Sequence, residues 1–178
     1  MTRTALITGI TGQDGYYLSR LLLEKGYRVV GLVPPSRLGS VAKLGDLAEK
    51  VDVCPVALTD ADALIESVYA LKPTEIYNLA APSFVPASWE DPLGTLDLIT
   101  GTATRLLKAT RQLGLDTRFY QASSSEIFGE VQSSPQTSQT PFCPKNPSGA
   151  AKLHAHWTMV HHRDRYNLFA CSGILFNH

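Results

Sequence analysis

An α/β fold with a doubly wound parallel sheet is predicted for this 178-residue chain. Three observations predict it. Short β-type runs alternate with helical periods along the whole length. A glycine-punctuated turn joins the first strand to the first helix. No internal repeat or second composition regime divides the chain, so residues 1–178 read as one domain.

The elements follow in order. Residues 4–8 read as a buried strand, and Leu18, Leu21 and Leu22 then recur at helical spacing until Gly26 stops the helix. Residues 27–33 form a second strand, ended by Pro34 and Pro35, and residues 51–56 a third. Asp60 suits an N-cap for a helix whose core face is Leu64, Ile65, Val68 and Leu71, with Pro73 beyond its end. Residues 75–80 and 118–122 are strands on either side of a long helix from Leu93 to Leu113. Asn146-Pro147 pairs an N-cap with a favourable first-turn proline. It opens a helix with Leu153, Trp157 and Val160 on one face. Residues 168–175 form the last strand, and the polar stretch 132–140 reads as a surface loop.

Composition narrows the function. Sixteen Lys+Arg balance 16 Asp+Glu, so the formal charge is zero. That leaves no basic excess for nucleic acid or an anionic membrane surface. No apolar run reaches the roughly 18 residues of a membrane span. The apolar part of the start is too short for a signal peptide. Cys54, Cys143 and Cys171 are far apart and odd in number, which suits neither a disulfide framework nor a metal site. A cytoplasmic protein is the expectation.

The first strand runs into Gly9-Ile10-Thr11-Gly12-Gln13-Asp14-Gly15, and a helix follows. Strand, turn and helix are the context a dinucleotide fingerprint requires. Gly9 permits the tight turn, Gly12 lets backbone approach a pyrophosphate, and Gly15 lets helix and strand pack closely. The helix N-terminus favours the anion. The expected arrangement is therefore an NAD(P)-binding Rossmann fold. At the end of the second strand an acid would hold a ribose 2′-hydroxyl, and an Arg a 2′-phosphate. Val33-Pro34-Pro35-Ser36-Arg37 offers no acid. Ser36 and Arg37 point to NADP, with NAD as the alternative.

Five segments resemble the GDP-mannose 4,6-dehydratase family of extended short-chain dehydrogenases/reductases. They are Ile7 to Gly15, Lys72 to Ala80, Phe119 to Glu126, Gly149 to Lys152 and Gly173 to His178. They stand in family order across the whole chain. The resemblance implies an internal redox lyase acting on GDP-mannose. Hexose C4 is oxidised against bound NADP, the C5 proton is removed, water leaves C6, and the hydride returns to C6. The product would be GDP-4-keto-6-deoxymannose.

The resemblance also implies roles. Gly9, Thr11, Gly12, Gln13, Asp14, Gly15, Arg37, Leu79, Ala80 and Lys152 would hold the cofactor. Ser83, Ser124, Glu126 and Asn177 would meet the sugar nucleotide. Ser124 would bond the C4 oxygen, Glu126 would be the acid/base for C5 and C6, and Lys152 would hold the nicotinamide ribose. Gly149-Ala150-Ala151 would let a ligand lie close to the helix. The family assembles as oligomers, at least dimers, through the helices near 93–113 and 147–166. Its sugar-nucleotide domain follows the position of His178.

The chain departs from the pattern at one chemically decisive place. The family has Tyr-x-x-x-Lys, and Ser148 stands four residues before Lys152. The two share a helix face, but an alkanol is far less acidic than a phenol of pKa about 10. Pro34 and Pro35 also replace basic residues, Ala57 replaces an Asp, and Pro82 replaces a Gln before Ser83. Tyr120, His154, His156 and Cys143 are candidate substitute bases. Two readings stay open: a dehydratase of altered activity, and a non-catalytic nucleotide- or partner-binding domain on the same scaffold.

Overall fold

The computed structural model describes residues 3–82, 84–114 and 117–177. Strands β1 (Thr4–Thr8), β2 (Arg28–Val33), β3 (Asp52–Pro55), β4 (Glu75–Asn78), β5 (Arg118–Ser124) and β6 (Ala170–Leu175) form one sheet. Every pairing is parallel, in the order β3-β2-β1-β4-β5-β6. The order reverses between β1 and β4. A doubly wound sheet opens its ligand crevice there, outside the carboxyl ends of the strands. The predicted fold class and the neighbourhood of the first, second and fourth strands are both observed.

Two apolar layers hold the sheet. On one face, Leu6, Val30, Leu32, Ile76 and Phe119 pack with Leu64 and Val68 of α2 (Ala61–Leu71). Leu106 and Leu107 of α4 (Thr102–Leu113) and Met159 of α5 (Pro147–Tyr166) complete that layer. On the other face, Ala5, Ile7, Val29 and Val33 pack with Ile10 and with Leu22 of α1 (Gln13–Glu24). Strands buried on both faces need near-continuous apolar runs, which explains β1 and β2.

The caps form as their residues predict. Asp60 accepts from the Ala63 N–H, and Gly26 follows α1 with φ +76°. The predicted helix from Leu93 is built in three parts. α3 (Pro92–Leu96) passes through a wide π turn, Asp97–Gly101, into α4. Arg105 reaches back across this turn to Asp97 at 2.7 Å. A Cβ at Gly101 would run into both side chains, so glycine lets the pair cross.

Two predicted faces are corrected. Leu22 is buried, but Leu21 is 48% exposed, because each residue turns the helix by about 100°, and Leu18 rather than Leu21 packs with Leu22 on the inner side. In α5 the inner face is Ala151, Ala155 and Met159, whereas Trp157 is 47% exposed. Ala151 and Ala155 meet Ile99 and Ala103, and small side chains let the two helices approach closely. The segment Pro35–Leu47 was not foreseen as an element. It is a 3₁₀ run broken at Gly45 that inserts Leu44 and Leu47 into the core.

Candidate active site at the carboxyl edge of the sheet

The glycine turn is shaped by close backbone approaches. Gly9 has φ +72°, and a Cβ there would stand 3.0 Å from the Ala80 backbone. A Cβ at Gly15 would lie 2.5 Å from the Gly9 carbonyl and from Ile10, so helix and strand could not close. Gly12 is exposed at the N-cap of α1, where a Cβ would meet nothing nearer than the Gly9 carbonyl at 3.3 Å. No capping side chain therefore stands between this helix N-terminus and an anion. Thr11 is tied to the next loop by Ser40 Oγ at 3.2 Å, while Gln13 is exposed and Asp14 half-buried.

Behind the turn lies a hydrogen-bonded chain that spans three strands. Thr8 Oγ1 donates to Asn78 Oδ1 at 2.7 Å and accepts from the Leu79 and Ala80 N–H groups at 3.1 and 3.0 Å. That satisfies one donor and two lone pairs of a fully buried hydroxyl. Leu79 and Ala80 thus present carbonyls and side chains, rather than N–H groups, to any ligand. Asn78 Nδ2 donates to Gln121 Oε1 at 2.8 Å, and Gln121 Nε2 donates to the Ala122 carbonyl at 3.0 Å. Lys152 Nζ donates to that same carbonyl at 2.7 Å. Lys152 is 6% exposed, and burial lowers its ammonium to about 8. Sequence reasoning found Lys152 but missed Thr8, Asn78 and Gln121. Their signal was three polar residues in strands otherwise made for a core.

The second wall is the end of β5 and the start of α5. Ser124 caps the next turn by accepting from the Glu126 N–H at 3.2 Å. Glu126 Oε2 accepts from Asn146 Nδ2 at 2.6 Å, which fixes the carboxylate at the N-terminus of α5. Ser148 is buried in the first turn of α5, one turn before Lys152. The smallness of Gly149 and Ala151 serves packing inside the protein, while Ala150 between them is exposed. A Cβ at Gly149 would stand 2.6 Å from the Glu126 carbonyl, and the Ala151 carbonyl accepts from Thr100 Oγ1 at 2.9 Å.

The other candidates scatter. Arg37 is exposed in the segment after β2, and Asn177 is exposed just past β6. Ser83 lies outside the described residues. Tyr120 is on the sheet face opposite α5, against Tyr77 with ring centroids 6.2 Å apart, and burial raises its phenol. His154 is exposed and bonds Thr158 at 3.2 Å. Cys143 is held in the loop before α5 through its backbone. His156 is half-buried one turn after Lys152, with its ring edge-on to Phe142 at 5.6 Å between centroids and its Nδ1 buried. Among the described residues, no cluster of His, Cys, Asp or Glu is suited to a metal ion.

A 3-2-1-4-5-6 parallel sheet, with a glycine-shaped first βα turn and a buried lysine at the carbonyl of Ala122 in β5, defines a doubly wound α/β protein of the Rossmann class. The family follows from comparison. The model of the family described as GDP-mannose 4,6 dehydratase matches residues 6–178. The chain belongs to that family. It is 46% identical to the GDP-mannose 4,6-dehydratase of Yersinia enterocolitica, aligned over 99% of this chain and 50% of the relative. It is likewise 46% identical to the human GDP-mannose 4,6 dehydratase, over 98% of this chain and 50% of the relative. The chain thus spans about half the length of these relatives. A UDP-glucose 4-epimerase from Brucella ovis, solved in complex with NAD, shares the fold. Its TM-score is 0.86 at 24% identity, covering 99% of this chain and 52% of the epimerase chain.

Proposed function

We propose that this chain provides the cofactor half of a nucleotide-sugar dehydratase that converts GDP-mannose to GDP-4-keto-6-deoxymannose. The observation that carries this reading is the convergence of Lys152, Ser124 and Glu126 on the carboxyl edge where the Gly9–Gly15 cradle opens. The residues present fit a dinucleotide: the cradle admits no Cβ at Gly15, leaves Gly12 open, and ends in an uncapped helix N-terminus.

A bound nicotinamide would supply the hydride acceptor and donor of the reaction. The protein's part is orientation and proton management. Gly9, Gly12 and Gly15 seat the pyrophosphate, Arg37 meets a ribose 2′-phosphate, and Lys152 holds the nicotinamide ribose. Ser124 bonds the C4 oxygen, and Glu126 takes and returns the protons at C5 and C6. NADP is the proposed cofactor, with NAD the alternative that Arg37 disfavours.

Ser148 supports a second reading, in which the chain binds nucleotide without efficient turnover. A serine has neither the acidity nor the reach of a phenol for the C4 hydroxyl. General-base loss typically costs roughly 10²–10⁴-fold.

Assembly is proposed as at least a dimer. Trp89, Leu93 and Leu96 stand exposed by 64%, 79% and 43% around α3, and Trp157 is exposed on α5, which packs beside it. Such apolar clusters mark interfaces. Sedimentation showing only monomer at micromolar concentration would count against it. No helix among the described residues is long and apolar enough to cross a membrane, and a cytoplasmic location is part of the proposal.

The deciding experiment is a thermal-shift titration with NADP⁺, NAD⁺ and GDP-mannose, joined to product analysis. Native-state ligands raise apparent stability by RT ln(1 + [L]/Kd). Failure of both dinucleotides to shift the transition would refute the reading.

A further inference from the structure

The exposed segment after β2 is held at both ends. Proline rings restrict the backbone at Pro34 and Pro35, and the Arg37 N–H donates to the Pro34 carbonyl at 2.8 Å. Farther along, Leu44 and Leu47 are buried in the core, and Asp46 accepts from the Tyr16 hydroxyl at 3.3 Å. Arg37 is the only cation between Val33 and Lys43. Its side chain is long, flexible and exposed. What the protein can fix is the backbone from which that side chain reaches.

Ser40 fixes it. Its Oγ donates to the Arg37 carbonyl at 2.6 Å and stands 3.2 Å from Thr11 Oγ1 in the glycine turn. A hydroxyl has one proton and two lone pairs. The carbonyl can only accept, so the Ser40 proton goes there, at the shorter distance. The Thr11 hydroxyl then donates to Ser40. The Arg37 bond is local, three residues back within a 3₁₀ turn, and shapes the loop itself. The Thr11 bond joins residues 29 apart in sequence and sets the loop against the N-terminus of α1. One serine thus bridges the turn proposed to seat a pyrophosphate and the loop proposed to meet a ribose 2′-phosphate.

We propose that Ser40 is a positioning residue for dinucleotide choice. Through the Thr11–Ser40–Arg37 bridge it holds Arg37 ready for an adenosine 2′-phosphate, and so sets the preference for NADP⁺ over NAD⁺. The inference rests on the dinucleotide reading above and deepens it, from which residue meets the phosphate to what aims that residue. Preorganisation raises affinity by removing the cost of ordering from the binding step. NAD⁺ has no 2′-phosphate, so its affinity does not depend on where Arg37 is aimed.

The test measures NADP⁺ and NAD⁺ dissociation constants by titration calorimetry for wild type, Ser40→Ala, Ser40→Thr, Arg37→Ala and the Ser40→Ala/Arg37→Ala double variant. Ser40→Ala should lower the preference for NADP⁺ by roughly two- to tenfold, the span one hydrogen bond commands in an equilibrium constant. The NAD⁺ Kd should stay at its wild-type value. Ser40→Thr keeps the hydroxyl and should keep the preference. Arg37→Ala should abolish it, and adding Ser40→Ala should then change nothing further, because the two residues act as one unit. The ligand-free chain gives an independent readout: trypsin should cut after Arg37 severalfold faster in Ser40→Ala than in wild type, at an unchanged urea midpoint. Thr11→Val breaks the same bridge from the other side and serves if Ser40→Ala does not fold. A wild type that prefers NADP⁺, with the same preference in folded Ser40→Ala, overturns the inference and leaves the dinucleotide reading standing. Equal cleavage after Arg37 also overturns it, as does a wild type that binds both dinucleotides equally. A wild type that binds neither overturns the reading and the inference together.

Discussion

Asn146 Nδ2 donates to Glu126 Oε2 at 2.6 Å while the other end of the same amide, Oδ1, accepts from the Gly149 N–H at 2.7 Å. One side chain therefore caps α5 and places the carboxylate proposed to handle the C5 and C6 protons. Structural and chemical roles are fused in a residue that sequence reasoning identified only as a cap.

Removing that amide should be felt twice. Asn146→Ala loses an N-cap, worth about 1 kcal/mol with a range of roughly 0.5–2, and frees the Glu126 side chain. Asn146→Asp keeps the cap but brings a second carboxylate against Glu126. Urea denaturation should rank wild type above both variants. Wild-type stability in Asn146→Ala would show that the cap does not hold the helix.

The glycine cradle should separate stability from binding. Gly15→Ala places a methyl 2.5 Å from the Gly9 carbonyl and Ile10. Overpacking of that kind costs roughly 1–3 kcal/mol. Gly12→Ala has an ordinary φ of −85° and only one contact, at 3.3 Å. Its N-cap cost should stay at about 1 kcal/mol or less, while NADP⁺ affinity falls because the methyl occupies the pyrophosphate approach. Denaturation and dinucleotide titration on both variants check this. Equal losses of stability would contradict the assignment of separate roles.

Much of this was legible in the chain, and the reasons are physical. Short near-continuous apolar runs located the strands and 3.6-period patterns the helices, since burial on both faces forces the first on a covered sheet and one buried face forces the second on its helices. The strand ends slipped where pairing, not hydrophobicity, sets the limit: Leu79 and Ala80 leave β4 to bond Thr8, while Ser123 and Ser124 extend β5 along Ile174 and Leu175. The segment Pro35–Leu47 was invisible because a 3₁₀ run has no 3.6 period. Glu126 and Lys152 were found through a resemblance. The Thr8–Asn78–Gln121 chain was not, because isolated polar residues in apolar strands declare burial only once their partners 70 and 43 residues away are known.

Lys152 should leave a signature in stability against pH. Burial depresses its folded value to about 8 from 10.5. The folded chain therefore binds fewer protons than the unfolded chain between those values, and stability rises with pH across the window. The favourable contribution is complete above the unfolded value and is lost as pH falls through about 8. At about 1.4 kcal/mol per unit, the effect is on the order of 3 kcal/mol. Burial raises the phenols of Tyr27 and Tyr77 in the opposite sense, and their stabilising contribution is lost only at higher pH. Urea curves at several pH values between 8 and 10 should converge less steeply for Lys152→Met than for wild type. Parallel profiles would mean that the lysine is not desolvated.

Ser148→Tyr tests the chemistry directly. The proposal assigns cofactor affinity to the glycine turn, Arg37 and Lys152, none of which needs a phenol. Turnover needs a base for the C4 hydroxyl as well. The variant should therefore hold the NADP⁺ Kd within a few-fold. It should raise GDP-mannose turnover by roughly the 10²–10⁴ expected of a general base. Position 148 is only 5% exposed. The added ring must reach toward the ligand side, or the first turn of α5 will be overpacked at a cost of about 1–3 kcal/mol. Denaturation separates the two outcomes, since a stable variant has placed its ring in open space. Glu126→Gln in the same background should abolish elimination while sparing dinucleotide binding, because the amide keeps a bond to Asn146 but cannot take the C5 proton. Turnover and Kd are to be measured for the wild type, the single variant and the double variant. Should the wild type already dehydrate GDP-mannose at an ordinary rate, with no gain from the tyrosine, the base lies elsewhere, and Lys152 becomes the first residue to examine.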